Sequence, residues 1–454
     1  MKQANAAIEI DEKTPLLMIA GPMFMELLLN ILLHNVDTMM LSHYSENAVG
    51  AVGNANQTMF LIIILFNIIA TATSVVVAQY LGAGKKEEMN QIYTLAMMVN
   101  LGVGILLSAG FVAFSPLMLK LTRVPQEMVG DCLTYIAIVG GCLFLQACYN
   151  VMLQILRCNG YTKVGMYVSI IINIINILGN YLFLYGPLKF LNLGVAGVAI
   201  STVVSRVIAL IVALMFFFYK KIGKLSLRLL FPFPYRMLVQ MFQIGLPSAG
   251  ENLSYDFAQV ILLSFINSMG NEAVNARTYC QSIISFAIIF TNACAMATQI
   301  ITGHLVGAEK EEEAYKRVFK TLRLTLPVSI GVALVNWLLS PLTLRLFTEN
   351  QNVIQLGFSI MLVDVFIEIG RCLNLTFVNS LKAAGDYMYT LIVGLISMWG
   401  IGVVVSYLLG IGLGFGVAGV FAGTAADEII RGLVTMRRWY QKKWVGKAIV
   451  KKTT

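Results

Sequence analysis

Long apolar runs separated by short polar stretches dominate the sequence. Eight runs are almost free of charge over membrane length, and they are Met59–Ala78, Ala96–Phe114, Ile136–Leu156, Ser169–Tyr185, Val203–Tyr219, Ile283–Ile301, Leu324–Leu339 and Leu391–Leu409. Four more contain isolated polar residues, and they are Leu16–Leu41, Ile244–Ile266, Val353–Leu381 and Gly414–Val434. Roughly 20 apolar residues in a helix cross a bilayer core. Since no run alternates as a barrel strand does, the pattern predicts about twelve transmembrane helices.

The composition also indicates a membrane protein. Hydrophobic residues make up 58% of the 454 residues, charged residues make up only 12%, and the mean hydropathy is +0.78. A soluble domain is nearer to about 25% charged, so a soluble chain of this length could not cover its surface. The sequence therefore predicts an all-α polytopic membrane protein, and we expect it in the cell inner (plasma) membrane.

Basic residues are distributed unevenly between the two predicted sides of the membrane. Of the 32 Lys and Arg residues, 25 fall in the N-terminus, the loops after even-numbered helices and the C-terminal tail, and five fall in the opposite loops. Because basic residues accumulate on the cytoplasmic side, both termini are predicted to be cytoplasmic. The net charge of +9 then needs no nucleic-acid partner, and the basic tail is expected to meet membrane lipid.

The two halves of the chain align when the sequence is shifted by about 225 residues. The matched segments are Pro22 and Pro247, Glu26 and Glu251, the Gly-Ala loops at 81–87 and 305–311, Leu156–Gly160 and Leu381–Gly385, and Gly194–Val198 and Gly416–Val420. Six helices in each repeat give both halves the same orientation, so the repeats are parallel. Paired six-helix bundles of this kind are typical of transporters that work by alternating access.

This repeat predicts four parts along the chain. They are an N-terminal six-helix lobe at 1–222, a cytoplasmic linker at 223–237, a C-terminal six-helix lobe at 238–438 and a basic cytoplasmic tail at 439–454.

Motifs of enzymes are absent from the sequence. It contains three histidines without metal-ligand spacing, and it lacks a Walker loop, a GxSxG motif and an HExxH motif. Its seven cysteines form no CxxC pair and are interpreted as small packing residues. We therefore expect neither an enzyme nor a cofactor, and an ion gradient rather than ATP as the energy source.

In the first half, function is expected at charged and amide side chains inside the helices, because a carboxylate at mid-bilayer costs roughly 2.5–3.5 kcal/mol. Asp37 lies late in the first helix. It is interpreted as a cation- or proton-binding carboxylate, and an acid in the outer headgroup region is the alternative. Asn173, Asn176 and Asn180 form a polar stripe on the fifth helix, which supplies either cation ligands or hydrogen bonds between helices.

In the second half, acids occur on the predicted helices seven and ten. Glu251 and Asp256 lie in helix seven, where Glu251 either has a function or stabilises the first turns of the helix. Asp364, Glu368 and Arg371 follow at i, i+4 and i+7, so they share one face of helix ten. This face is interpreted as a titratable or cation-binding centre restrained by Arg371, with a packing ion pair between Glu368 and Arg371 as the alternative.

The whole chain resembles the multidrug and toxic compound extrusion (MATE) family, bacterial type. The features that carry the resemblance are Val36–Thr38, Gly21–Pro22, Gly245–Pro247, the paired Gly-Ala loops, Leu156–Gly160, the two Gly-Val-Ala-Gly segments, Glu368–Arg371 and Leu381–Asp386. Each motif is weak alone, but their order and spacing across two halves make the match specific.

The resemblance implies an N-lobe, a C-lobe and an antiporter that expels small organic, often cationic, compounds in exchange for H⁺ or Na⁺. It implies a cation-coupling site on Asp37, Asn176, Asn180 and Thr202, with Na⁺ as a possible ligand of the first three. Many members place Asp where this chain has Asn180, so the coupling ion stays open between H⁺ and Na⁺. The C-lobe acidic centre would fall on Glu251, Asp256, Asp364 and Glu368. We expect a monomer.

Two other readings of the architecture stay open. A lipid-linked saccharide flippase of the same broad superfamily would need a cationic central cavity, and Arg206 and Arg371 are the two bases predicted inside the membrane. The acids inside the helices favour cationic cargo instead. A channel or a membrane scaffold without transport is the third reading, and the internal repeat and the midplane acids argue against it.

Overall fold

The computed structural model describes residues 10–122 and 124–450, and within these ranges the chain is all-helical. The long helices are α1 (Leu16–Tyr44), α2 (Glu46–Gly82), α3 (Lys86–Leu121), α4 (Gln126–Gly140 and Leu143–Cys158, bent by 42°), α5 (Thr162–Leu184), α6 (Val195–Tyr219), α7 (Tyr235–Asn267), α8 (Asn271–Gly307), α9 (Glu311–Leu344), α10 (Gln351–Ala383), α11 (Tyr387–Gly412) and α12 (Gly416–Tyr440). The predicted all-α class is confirmed.

Most long helices in the part of the chain that the structure describes could cross a membrane. Eight of its helices are long and apolar enough to cross a membrane, and the bent α4 makes a ninth if its two parts form one span. The helix α12 carries Asp427, Glu428 and Arg431 in its middle. Twelve spans therefore stay a prediction, while a polytopic helical membrane protein is what the fold shows.

The internal repeat is visible in the turns that end equivalent helices. After α2, Gly84 has a φ of +71°, and the Lys85 N–H donates to the Tyr80 carbonyl at 3.1 Å. After α8, Glu309 has a φ of +59°, and the Lys310 N–H donates to the Leu305 carbonyl at 2.9 Å. In both turns, a residue with a left-handed backbone conformation is followed by a hydrogen bond to a carbonyl five residues earlier. This bond satisfies a carbonyl that the helix end leaves unpaired.

A second pair of turns repeats the same geometry. Gly160 after α4 and Gly385 after α10 both have positive φ, +82° and +92°. The N–H of Tyr161 donates to Leu156 at 2.9 Å, and the N–H of Asp386 donates to Leu381 at 2.8 Å. Glycine suits both positions because it has no Cβ to oppose a positive φ. The sequence match between the two halves therefore marks equivalent helix ends.

The chain forms two compact units. The first comprises Met25–Leu81 and Lys85–Gly245, and the second comprises Ile10–Phe24, Gly82–Gly84 and the described chain from Leu246 onward. Each has its own apolar core. The first core includes Phe66, Phe111 and Ile136, and the second includes Ile284 and Ile360.

The C-terminal segment after α12 packs against the second unit. Trp439 stacks on Trp444 with ring centroids 4.1 Å apart, and both side chains are buried. Asp386 accepts hydrogen bonds from Arg438 Nε at 2.9 Å and from Lys447 Nζ at 2.5 Å. Asp386 thus pairs with one base of α12, Arg438, and with one base of the tail that was predicted to meet lipid, Lys447.

Candidate functional site

In the first unit, the structure brings Asp37 of α1 to the amide stripe of α5. Asn180 Nδ2 donates to Asp37 Oδ1 at 2.7 Å and to Asn176 Oδ1 at 3.0 Å. Asn176 Nδ2 donates in turn to Thr202 Oγ1 of α6 at 3.3 Å. The four residues named from the sequence therefore form one hydrogen-bonded chain across three helices.

Asp37 is an internal residue of its helix. The helix α1 continues to Tyr44, and the Asp37 side chain is partly buried. Its carboxylate makes no ion pair with the described part of the chain, so the single amide donor from Asn180 leaves much of the charge uncompensated. A bare carboxylate in such a place is costly, and a proton or cation that neutralises it is favoured.

Asn180 carries a second sign of an incomplete site. Its side chain is fully buried, yet its Oδ1 has no hydrogen-bond partner. Asn173, about two turns earlier on the stripe, donates to the Leu29 carbonyl at 3.2 Å and holds α5 against α1, and its own Oδ1 is also unpaired. Buried polar atoms are almost always paired, so an unpaired amide oxygen close to a carboxylate marks this place as a candidate ligand site.

Two further residues lie near these hydrogen-bonded side chains, and one of them, Tyr135, was not identified from the sequence. Tyr135 of α4 is buried beside Thr202 and Asn56, within electrostatic range of Asp37. Arg206 of α6 lies within electrostatic range of Tyr135, and its buried Nη1 has no hydrogen-bond partner. Arg206 was noted only as an isolated base, because its neighbours come from helices that are distant in sequence.

Equivalent acids of the two repeats form equivalent buried ion pairs. In the first unit, Arg157 Nη2 donates to Glu26 Oε2 at 2.6 Å. In the second unit, Lys382 Nζ lies 2.9 Å from Glu251 Oε2. Placing Glu251 in the first turns of a helix was wrong, because α7 begins at Tyr235, sixteen residues earlier. The polar start of α7 has no long apolar run and therefore escaped the hydropathy pattern.

The predicted face of α10 is present in the second unit. Arg371 donates to Glu368, whose side chain is fully buried, and Glu368 Oε2 has no hydrogen-bond partner. Asp364 is also buried on this helix and lies within electrostatic range of both residues. The ion pair between Glu368 and Arg371, which was the alternative interpretation from the sequence, is therefore present. Beside it lie a second acid, Asp364, and the unpaired Oε2 of Glu368.

A second set of charges on α12 completes this cluster. Asn374 Nδ2 donates to Glu428 Oε2 at 2.8 Å and so links α10 to α12. Arg431 Nη2 lies 3.0 Å from Asp427 Oδ2 and 3.2 Å from Glu428 Oε1. All four side chains are buried. Arg431 was not counted among the bases predicted inside the membrane, but it lies within α12, which continues to Tyr440.

Not every predicted residue joins the cluster. Asp256 is only partly buried and makes no hydrogen bond or ion pair with the described residues. Glu251, by contrast, lies within electrostatic range of Asp427 and Arg431. The second unit therefore gathers five acids, namely Glu251, Asp364, Glu368, Asp427 and Glu428, against three bases, namely Arg371, Lys382 and Arg431.

An all-helical membrane chain with two repeated units and a charged interior in each is the architecture of a membrane transporter. Comparison with known proteins agrees. The MatE family model matches residues 22–182 and again 247–408, once in each half. The chain is 38% identical to the uncharacterized transporter YisQ of Bacillus subtilis (strain 168), over 97% of this chain and 96% of that one.

More distant relatives carry more specific names. The chain is 22% identical to the probable multidrug resistance protein NorM of Thermotoga maritima, over 96% of this chain and 94% of that one. A solved multidrug resistance MATE family transporter of the MOP superfamily, in an outward-facing conformation, matches the fold with a TM-score of 0.87 at 20% identity, covering 99% and 98% of the two chains. The chain belongs to the MatE family; it is an integral membrane transporter and not an enzyme.

Proposed function

We propose that this protein is a proton-coupled antiporter that exports small organic, cationic compounds across the inner membrane by alternating access. The observation that carries the proposal is the series of hydrogen bonds from Asp37 through Asn180 and Asn176 to Thr202, with a weakly paired carboxylate at one end. Relatives named as multidrug resistance proteins support the direction of transport and the class of cargo.

The choice of ion rests on the orientation of the Asn180 amide. As arranged, Asn180 turns its N–H toward Asp37, and its Oδ1 points elsewhere without a partner. A Na⁺ ion needs oxygen ligands, so it would require this amide to turn over and present Oδ1 beside the carboxylate. A proton on Asp37 requires no such change, which favours H⁺ and keeps Na⁺ as the competing coupling ion.

The class of cargo rests on charge in the second unit. Its buried cluster holds five acids against three bases, so it carries excess negative charge when all are ionised. Buried charge of one sign attracts a compensating ion. An organic cation can supply this compensation, which gives the second unit a role in holding cargo while Asp37 of the first unit holds the coupling ion.

Antiport further requires that the ion and the cargo favour different arrangements of the helices. A ligand that binds both arrangements equally well does not shift the equilibrium between them, however tightly it binds. We infer that protonation of Asp37 releases the Asn180 amide and so changes how α1 packs on α5. The proposal also includes a monomeric state, cytoplasmic termini and two lobes, at 1–222 and 238–438.

The test is transport of a fluorescent organic cation by the purified protein in proteoliposomes, under an H⁺ gradient or a Na⁺ gradient applied separately. We expect efflux driven by the H⁺ gradient, and Asp37→Asn should abolish it because the variant removes the titrating charge with almost no change in volume. The matched control is Asp131→Asn, which alters an exposed acid of α4. Gradient-driven efflux at the parent rate in Asp37→Asn would disprove this mechanism.

A further inference from the structure

The connection between α6 and α7, taken together with the first two residues of α7 as residues 220–236, is a structured segment with a basic and aromatic outer surface. We call it the connecting segment. It contains a 3-10 turn at Leu227–Leu230 and two prolines, Pro232 and Pro234, which have no N–H to donate. Nothing in the coupling mechanism proposed above uses it.

Three polar residues on one face of α3 hold the connecting segment in place. Asn90 Oδ1 accepts from the Lys224 N–H at 2.6 Å, and Thr94 Oγ1 accepts from the Ser226 N–H at 3.3 Å. Gln91 Nε2 donates to the Leu229 carbonyl at 3.0 Å. Because these bonds satisfy the inner backbone of the segment, they fix which of its side chains face outward.

The outward side chains are large and apolar. Phe231 is 81% exposed, and Leu227, Phe233 and Tyr235 are each more than half exposed. A non-helical backbone does not face the hydrocarbon core of a bilayer, because its polar groups would lack partners there. Aromatic side chains are enriched at the boundary between membrane and water. The connecting segment therefore fits the headgroup layer at the end of α6.

Basic residues flank these aromatic residues along the segment. Lys221, Lys224, Arg228 and Arg236 are exposed and make no ion pair with the described part of the chain. The sequence from 132 to 250 contains no Asp or Glu, so this half of the first unit offers no acid of its own. In the C-terminal tail, by contrast, Lys442 and Lys447 are paired with acids of the second unit.

We propose that the connecting segment is a binding surface for the anionic phospholipid headgroups of the cytoplasmic leaflet. Phe231, Phe233 and Tyr235 enter the headgroup layer, while Lys221, Lys224 and Arg228 contact lipid phosphates. The charge complementarity selects anionic over neutral lipid, by about fivefold for each basic residue at the surface. The proposal is independent of the coupling ion and of the cargo.

The test uses the full-length Phe231→Trp variant in liposomes that mix phosphatidylcholine with phosphatidylglycerol. One of the two lipids carries bromine in its acyl chains, which quenches nearby tryptophan fluorescence. Subtracting the signal of the parent protein, which has four tryptophans, isolates the introduced one. We expect stronger quenching by brominated phosphatidylglycerol than by the same fraction of brominated phosphatidylcholine.

Two further variants in the same background control for charge. Changing Lys221, Lys224 and Arg228 together to Gln should make quenching by the two lipids equal. The control is Lys189→Gln, which alters an exposed base at the other end of α6 and should leave the preference for phosphatidylglycerol intact. Equal quenching by both lipids in the Phe231→Trp protein itself would overturn the proposal. So would an introduced tryptophan that neither lipid quenches, which would mean that protein covers the segment.

Discussion

At the scale of single residues, the two units differ in how their buried acids are paired. Asp37 has one amide donor and no ion-pair partner among the described residues, which is why we propose it as the residue that exchanges a proton or cation. Glu368 is paired with Arg371 but keeps an unpaired oxygen. A paired acid is restrained in its charge, whereas a weakly paired acid is free to change it. This difference supports our proposal that Asp37 holds the coupling ion and that the α10 pair restrains the site around it.

The identity of residue 180 should decide ion selectivity. Asn180→Asp places a second carboxylate 2.7 Å from the first, where the amide nitrogen now lies. Two carboxylates this close cannot both stay bare, so a cation between them is strongly favoured. We expect efflux in proteoliposomes to become more dependent on a Na⁺ gradient, by about tenfold in the Na⁺ concentration for half-maximal rate. Unchanged Na⁺ dependence would mean that Asn180 does not face the ion.

The pair formed by Glu368 and Arg371 should contribute to stability separately from transport. Arg371→Met leaves a fully buried carboxylate without its partner, which costs about 3 kcal/mol or more. We expect a lower melting temperature in detergent and loss of efflux.

The double variant Glu368→Gln with Arg371→Met removes both charges. Its melting temperature should return close to that of the parent, while efflux stays lost. If efflux returned together with stability, the pair would serve packing alone.

At the scale of the helix, small residues allow α10 and α12 to approach closely. A Cβ added at Gly370 would lie 2.6 Å from the Ile429 nitrogen, and one added at Gly432 would lie 2.7 Å from Leu373 Cβ. Close approach of this kind is a common device for packing helices in membranes, where no hydrophobic force holds them together. It also sets the distance over which Asn374 reaches Glu428.

Gly370→Ala should therefore separate α10 from α12. The obstacle is backbone, which cannot turn away, so overpacking should cost about 1–3 kcal/mol and break the Asn374–Glu428 hydrogen bond. The control is Gly331→Ala in α9, where an added Cβ meets open space. We expect a lower melting temperature for the first variant and no loss for the second. Equal melting temperatures would show that the two helices can move apart freely.

The sequence predicted the elements well and their contacts only in part. Apolar runs located the helices, and the i, i+4, i+7 spacing placed Asp364, Glu368 and Arg371 on one face, because both patterns are local. The contacts of Arg431 and Tyr135 depend on helices far away in sequence, so no spacing could reveal them. The start of α7 was missed because Tyr235–Gln243 has a mixed, partly polar sequence that carries no hydropathy signal.

At the scale of the whole molecule, the repeat extends from the turns to the buried charges. Glu26 and Glu251 are matched in sequence, and each is paired with the base that ends an equivalent helix, Arg157 or Lys382. The two units nevertheless differ at the residues we propose to be functional, since Asp37 belongs to the first and the α10–α12 cluster to the second. A duplicated scaffold with different charges in each copy suits an antiporter, which must bind two different ligands.

The orientation in the membrane is the remaining property of the whole chain that the basic residues predict. Arg157, Lys382 and Arg431 are buried in ion pairs and so do not contribute to the charge of the loops. Most of the basic residues still fall on the side of the termini. We therefore predict that α6 crosses the membrane with Lys189 before it outside the cell and Lys221 after it in the cytoplasm.

Labelling of introduced cysteines in intact cells by a membrane-impermeant maleimide tests this orientation. Both positions are exposed, and six of the seven native cysteines are buried, so the parent protein should give little background. Lys189→Cys should be labelled in intact cells, and Lys221→Cys only after the membrane is permeabilised. The reverse pattern would invert the topology and place the connecting segment on the outer leaflet. Labelling of both in intact cells would mean that α6 does not separate the two compartments, and the count of spans would have to change.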